Sequence, residues 1–282
     1  MLFGAHVSMA GGLDKAPLNA QVIGCECFQM FSRSPRGGQP PRLAQAVIKS
    51  FQSAMKQNQQ AEAYIHAPYY INLASANNRI RFGSIKVIRE ELDRATSLGV
   101  KYVMTHLGSA NDLPRDQAIN QVILGIKKVL DGYQGSAWFL IENSAGSGNI
   151  IGNRFEEIAQ IIKGLPRALQ NKTAVCLDTC HAFASGYDLR SKQLVNQTIK
   201  EFAQVIGLPK LKLIHANDSK TDLGSKVDRH EHIGLGKIGL EGFKALIHHP
   251  KLQKINMILE TPVDDQGDQP GDLKVLKKLR GK

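Results

Sequence analysis

Ala63-Tyr-Ile-His66, Val103-Met-Thr-His106, Phe139-Leu-Ile-Glu142, Val175-Cys-Leu-Asp178, Lys212-Leu-Ile-His215 and Met257-Ile-Leu-Glu260 are six short, mainly apolar runs, each ending on a side chain that can ligate a metal. The endings fall 36 to 45 residues apart, about one strand-loop-helix-loop unit each. Parallel strands that deliver His, Glu and Asp from their carboxyl ends build one shared site, the working face of a closed barrel. A lone strand-end histidine is more often a packed or hydrogen-bonded one. Six metal-grade residues at equivalent positions do not fit that bland reading, because an unpaired buried carboxylate is costly.

Working outward, residues 3–7 and 26–31 read as two further strands, ending near His6 and Phe31, which brings the count to eight. Helical periodicity marks residues 42–57, 80–97, 116–130, 155–162, 194–206 and 240–248, with a short basic helix at 273–279. Eight units in 282 residues fit a (β/α)8 TIM barrel with the site at the C-terminal face of its strands. No linker or composition break divides the chain, so residues 1–282 are expected to form a single barrel domain. An open doubly wound sheet shares the alternation but not the even eightfold spacing.

The loops after the strands carry the next signals. Ser8 to Gly12 is glycine-rich and allows close backbone approach to a phosphate. Ser32 to Gly38 places two cations, Arg33 and Arg36, on a Gly/Pro turn. Ala67 to Tyr70 offers aromatic side chains at the rim. The chain carries 36 Lys and Arg against 25 Asp and Glu, a net +11, and such an excess favours a polyanion, nucleic acid above all. Cys25, Cys27, Cys176 and Cys180 lack paired zinc-ribbon spacing and read as buried free thiols. Neither a signal peptide nor an apolar span is visible, so a cytoplasmic protein without a membrane partner is expected.

Three more candidate ligands accompany the strand ends: His181 in Asp-Thr-Cys-His, and the Asp228-Arg-His230 pair. The nine together are five imidazoles and four carboxylates, a mixture that suits Zn2+ or Mn2+ better than Ca2+ or Cu+. Nine exceed the needs of one tetrahedral ion, and two or three ions sharing a carboxylate would use them all. Clustered divalent ions serve phosphoester cleavage best, activating a water and offsetting charge on the phosphate. His6 faces the site and is assigned to substrate rather than metal. His232, His248 and His249 are expected at the surface.

The runs Gly4-Ala-His-Val-Ser-Met-Ala-Gly-Gly12, His66-Ala-Pro-Tyr69, Thr105-His-Leu-Gly-Ser109, Glu142-Asn-Ser-Ala-Gly146, Leu177-Asp-Thr-Cys-His181, His215-Ala-Asn-Asp-Ser-Lys220, Asp228-Arg-His230 and Ile258-Leu-Glu-Thr-Pro262 resemble endonuclease IV over essentially the whole chain. The resemblance implies a TIM barrel, three Zn2+ ions per chain (one position admitting Mn2+), and cleavage of double-stranded DNA on the 5′ side of abasic sites, with 3′-blocked ends as further substrates. It implies that His66 and His106 hold one ion, that Glu142 bridges to a second held with Asp178, His215 and Glu260, and that His181, Asp228 and His230 hold the third. Glu142 and Glu260 are expected to be catalytic, Tyr69 to touch distorted DNA and Arg36 to wedge into it. A monomer is expected, since the active face must straddle a duplex.

The family's Arg-x-Trp in the second loop is here Arg36-Gly37-Gly38, so the bulky plug is missing. Trp138, the single tryptophan, lies on another strand. The competing readings are a sugar isomerase or epimerase, which would leave the His66, His106, His181, Asp228 and His230 set surplus, and an inactive nucleic-acid binder, which would have lost ligands.

Overall fold

The computed structural model describes residues 1–111 and 113–281. In chain order it contains β1 (Phe3–His6), α1 (Lys15–Val22), β2 (Cys27–Met30), α2 (Gln45–Gln57), β3 (Ala63–His66), α3 (Asn78–Leu98), β4 (Tyr102–Thr105), α4 (Arg115–Leu130), β5 (Trp138–Glu142), α5 (Phe155–Lys163), α6 (Arg167–Gln170), β6 (Thr173–Asp178), α7 (Thr179–Ala184), α8 (Lys192–Val205), β7 (Leu211–His215), β8 (Asp218–Ser219), β9 (His230–Glu231), α9 (Gly239–His248), β10 (Asn256–Leu259) and α10 (Gln269–Arg280).

Eight of these strands close a barrel in the order β1-β10-β7-β6-β5-β4-β3-β2, and every neighbouring pair is parallel. The expected TIM barrel is therefore the observed fold. The strands read as near-continuous apolar runs because both faces are covered. Inside, Cys27, Tyr64, Met104, Leu140, Ala174, Cys176, Leu213 and Ile258 fill the lumen. Outside, a larger apolar layer joins strands to helices, with Phe28, Ile65, Val103, Phe139 and Ile214 against residues such as Leu92, Ile126 and Phe202. Gly4 is required where β1 meets β2, since a Cβ there would lie 1.7 Å from the Cys27 carbonyl oxygen.

Two features fix the loops at the mouth. The first is a buried ionic clamp under the loop after β2. Glu91 of α3 accepts from Ser32 Oγ at 2.5 Å and from the Arg33 guanidinium, while Arg94 donates to Ser32 Oγ, the Ser32 carbonyl and the Pro41 carbonyl. Arg33 is thus buried and paired, not the free surface cation that its loop position suggests; Arg36 alone of the two is exposed. The second is the buried Asp218 carboxylate, which accepts from the backbone N–H groups of Ser219, Gly234 and Ile238 at 2.8–2.9 Å. It pins the segment after the short antiparallel β8–β9 ribbon, and burial raises its pKa despite those bonds.

Candidate metal centre

All six strand-end residues converge at the carboxyl mouth, where a cavity of about 400 Å3 is lined by His6, His66, Tyr69, His106, His181, Asp228, His230, Glu260 and Gln269. Ligand-type atoms gather in overlapping sets: His66, His106 and Glu142; Glu142, Asp178, His215 and Glu260; and Asp178, His181 and His230. Asp228, Cys180 and His230 form a further set. Glu142 and Asp178 are fully buried and each belongs to two sets, so they join neighbouring clusters.

Glu142 ends β5 and meets a ring of imidazoles. His66 Nε2 is 3.0 Å from its Oε2, His215 Nδ1 is 2.8 Å from its Oε1, and His106 Nε2 is 3.6 Å away. Burial would raise its pKa, but the charges and hydrogen bonds of His106, His215 and His66 hold it well below the ordinary carboxylate range. Asp178 ends β6 and caps α7 through the His181 N–H at 2.7 Å. That cap swings the His181 ring back over the mouth, with Nε2 3.1 Å from Asp228 and 3.5 Å from His230 Nε2.

The imidazoles are oriented for ligation. His66 Nδ1 faces the Ala67 carbonyl at 2.6 Å, His181 Nδ1 the Asn143 carbonyl at 3.1 Å and His230 Nδ1 the Glu260 carbonyl at 3.1 Å. Only an N–H can satisfy a carbonyl, so each Nε2 is left inward as the ligating atom. Without a cation these inward nitrogens face carboxylates and each other, which only protons can reconcile. Burial lowers the pKa of His181 and His230, yet the neighbouring carboxylates of Asp178 and Asp228 outweigh it and raise the two imidazoles to about 10 and about 9 respectively. Asp228 is correspondingly pushed far down, against burial, by its bonds to His181 and His230. Divalent cations would replace those protons without rearranging the donors, so the residues fit a metal cluster.

Two asparagines and a glutamine tie the ligand-bearing loops together. Asn143 Oδ1 accepts from the Asp178 N–H at 2.7 Å. Asn217 donates to Asp178 Oδ2 at 2.6 Å and accepts from the Glu260 N–H at 2.8 Å. Gln29, fully buried at the end of β2, lies within hydrogen-bonding distance of His6, His215 and Glu260. Sequence reading gave none of these a role, because neutral amides in or beside apolar runs carry no metal signal.

Of the residues assigned to DNA, His6 packs against Phe31 with ring centroids 4.4 Å apart and planes tilted by 54°, and its buried Nε2 has no hydrogen-bond partner among the described residues. Tyr69 stands at the rim, edge-on to Phe31 at 5.2 Å and 72% exposed. A Cβ on Gly37 would lie 3.9 Å from the Tyr70 ring, so the Arg36 loop and the Tyr69–Tyr70 loop adjoin. Gly37 and Gly38 have φ of 110° and 95°, a backbone that L side chains rarely adopt, so this loop could not carry a tryptophan plug without refolding. Trp138 begins β5 at the opposite end of the barrel, where Lys212 Nζ lies 5.4 Å from its ring.

Two surface expectations fail. His232 is buried, with Nδ1 2.8 Å from Asp272 and Nε2 3.1 Å from Asp264, and this linkage fastens the β9 and β10 loops to α10. His249 is also buried and accepts from the Lys251 N–H, whereas His248 is exposed as expected and faces the Leu279 carbonyl. The four cysteines are buried and free, as expected, and no described helix is long and apolar enough to cross a membrane.

Residues 18–279 match the xylose isomerase-like TIM barrel family. The chain is 36% identical over 282 residues to a "Probable endonuclease 4" of Methanoculleus marisnigri, covering 100% of this chain and 99% of the relative. It is 39% identical over 279 residues to a protein of the same description from Methanosphaerula palustris, covering 98% and 97%. The crystal structure of endonuclease IV from Thermus thermophilus superposes with a TM-score of 0.87 at 34% identity, covering 99% of this chain and 98% of that one. A D-tagatose 3-epimerase-like protein has a TM-score of 0.73 at 19% identity and shares the fold alone. With relatives matching along their full length, the chain belongs to the endonuclease IV family of nucleases.

Proposed function

We propose that the protein is a DNA-repair endonuclease that hydrolyses the phosphodiester on the 5′ side of an abasic site with a trinuclear zinc cluster. The observation that carries this reading is the merging of three ligand sets through the buried carboxylates Glu142 and Asp178. His66 and His106 with Glu142 would hold the first ion; Glu142, Asp178, His215 and Glu260 the second; His181, Asp228 and His230, with Asp178 beside them, the third. One of the positions would also admit Mn2+. When bound, such ions supply an activated water and offset charge on the phosphate and the departing oxygen.

The chain's own groups do the rest. An abasic nucleotide stacks poorly and leaves the duplex cheaply; Arg36 and Tyr69 at the rim would grip the kinked backbone. Without the family's tryptophan, that grip leans on these two side chains. His6, with its unpartnered Nε2, would meet a substrate oxygen. Glu142 and Glu260 serve the reaction by holding the cluster where the scissile phosphate enters. Water adds to phosphorus and the bond to the 3′ oxygen breaks, leaving a 3′-hydroxyl and a 5′-deoxyribose phosphate. The same chemistry at a strand end would trim 3′-blocked termini.

The test is end-group analysis on a duplex with one natural abasic site. A 3′-hydroxyl and a 5′-deoxyribose phosphate support the proposal. A 3′-unsaturated aldehyde, the mark of β-elimination by an amine, contradicts it. The epimerase reading is disfavoured because its chemistry needs carboxylates free for proton transfer, whereas here Glu142, Asp178 and Glu260 all face imidazoles or amides.

A further inference from the structure

Gln29 is the one polar side chain of β2, whose four residues are all fully enclosed. Its amide oxygen lies 2.7 Å from His215 Nε2, and its amide nitrogen lies 2.6 Å from Glu260 Oε1 and 2.9 Å from His6 Nδ1. The amide cannot be turned over, because that would set its oxygen against the Glu260 carboxylate. The oxygen therefore accepts, and the two hydrogens on nitrogen go one to Glu260 and one to His6.

Directionality then propagates. Since the Gln29 oxygen is an acceptor, His215 carries a proton on Nε2, which leaves Nδ1, turned towards Glu142 and Glu260 at 2.8 and 3.3 Å, as the nitrogen that a metal ion can take. Since the Gln29 nitrogen is a donor, His6 Nδ1 must accept, and the His6 proton resides on Nε2. That Nε2–H is buried and has no hydrogen-bond partner among the described residues, on a ring lining the mouth cavity. His66, His181 and His230 take their tautomers from backbone carbonyls. His215 takes its own from a side chain, with the ring reversed.

We propose that Gln29 is a positioning residue with a double output: it presents His215 Nδ1 as a metal ligand and His6 Nε2–H as a hydrogen-bond donor to a substrate oxygen. The proposal rests on the reading above in needing a metal ion at His215 and Glu260. Losing such an orienting partner weakens metal binding roughly 10- to 100-fold.

The experiment is a zinc titration against a chromophoric chelator, with long-range 1H–15N correlation of the His6 and His215 rings, on the wild type, Gln29→Met and Gln29→Glu. Gln29→Met keeps the shape and loses every polar contact. It should hold one zinc of the set at least tenfold more weakly, and its His6 proton should spread over both nitrogens. Gln29→Glu keeps an acceptor for His215 but sets an oxygen against the Glu260 carboxylate and His6 Nδ1, so His215 should keep its Nε2 proton while His6 gains one on Nδ1. It also serves should Gln29→Met fail to fold. Zinc affinity and both tautomers unchanged in either folded variant would overturn the proposal. If the wild type holds zinc with the stated tautomers but leaves abasic DNA uncut, the nuclease reading falls and Gln29's role stands. If it cuts abasic DNA and the variants match it, Gln29's role falls alone.

Discussion

Replacing Glu91 by alanine should both destabilise the protein and loosen its grip on DNA, although Glu91 sits under the barrel mouth rather than in it. The carboxylate is fully buried, and it is the anion between Arg33 and Arg94, which are themselves 2% and 8% exposed. Removing it leaves Arg33 with Glu90 as its acidic partner, at 2.8 Å and partly in solvent, and leaves Arg94 on neutral oxygens only. Breaking a buried pair from one side costs about 3–5 kcal/mol, because the remaining charge stays desolvated. At a urea m-value near 3 kcal/mol/M, the midpoint would fall by about 1 to 1.7 M. The loop from Ser32 to Pro41 hangs from this clamp, so Arg36 should lose its fixed position. Urea denaturation followed by tryptophan fluorescence gives the first number, and binding to an abasic duplex under conditions where the variant is folded gives the second. A stability loss below about 1 kcal/mol, or full-strength binding despite a large loss, would refute the account of the clamp.

Arg36→Ala should weaken binding to an abasic duplex by roughly tenfold, about 1.4 kcal/mol, and to intact duplex much less; equal losses in a paired gel-shift assay would contradict the wedge role. Asp272→Ala removes the acceptor for His232, Thr261 and the Ile233 N–H, so denaturation should register about 2–3 kcal/mol, and incision should fall with the loosened His230 and Glu260. Glu26→Gln concerns acid stability. Burial raises the Glu26 pKa, but Arg280 at 2.8 and 3.0 Å and the Phe3 N–H outweigh it, leaving it lowered. A depressed carboxylate adds stability above its unfolded pKa and loses it as the pH falls through the folded value. The wild type should therefore exceed Glu26→Gln by about 1 kcal/mol at neutral pH, and the two pH–stability curves should merge in acid; curves that stay parallel would sink the assignment.

What was legible in the sequence is what a single strand carries within itself. Each apolar run ends on its metal-grade residue, and closure of the barrel brings those ends together without further information. The ends of α2 and α10 differ from expectation by a few residues, because Arg42–Ala44 and Gln269–Arg280 are decided by capping and by contacts with other units. Illegible were residues whose meaning lies in a partner far along the chain. Arg33 looks like a DNA cation until Glu91 is seen against it. His232 looks exposed in a polar loop until Asp272 closes on it 40 residues later. Gln29 reads as an odd residue in an apolar strand, since its three partners come from β1, β7 and the end of β10.

The most direct test is elemental analysis of protein purified without added metal, read beside incision of a duplex carrying one tetrahydrofuran abasic analogue. The account predicts about three zinc ions per chain and a single cut 5′ to the analogue, abolished by Glu142→Gln. One ion or none, with an uncut duplex, would contradict it.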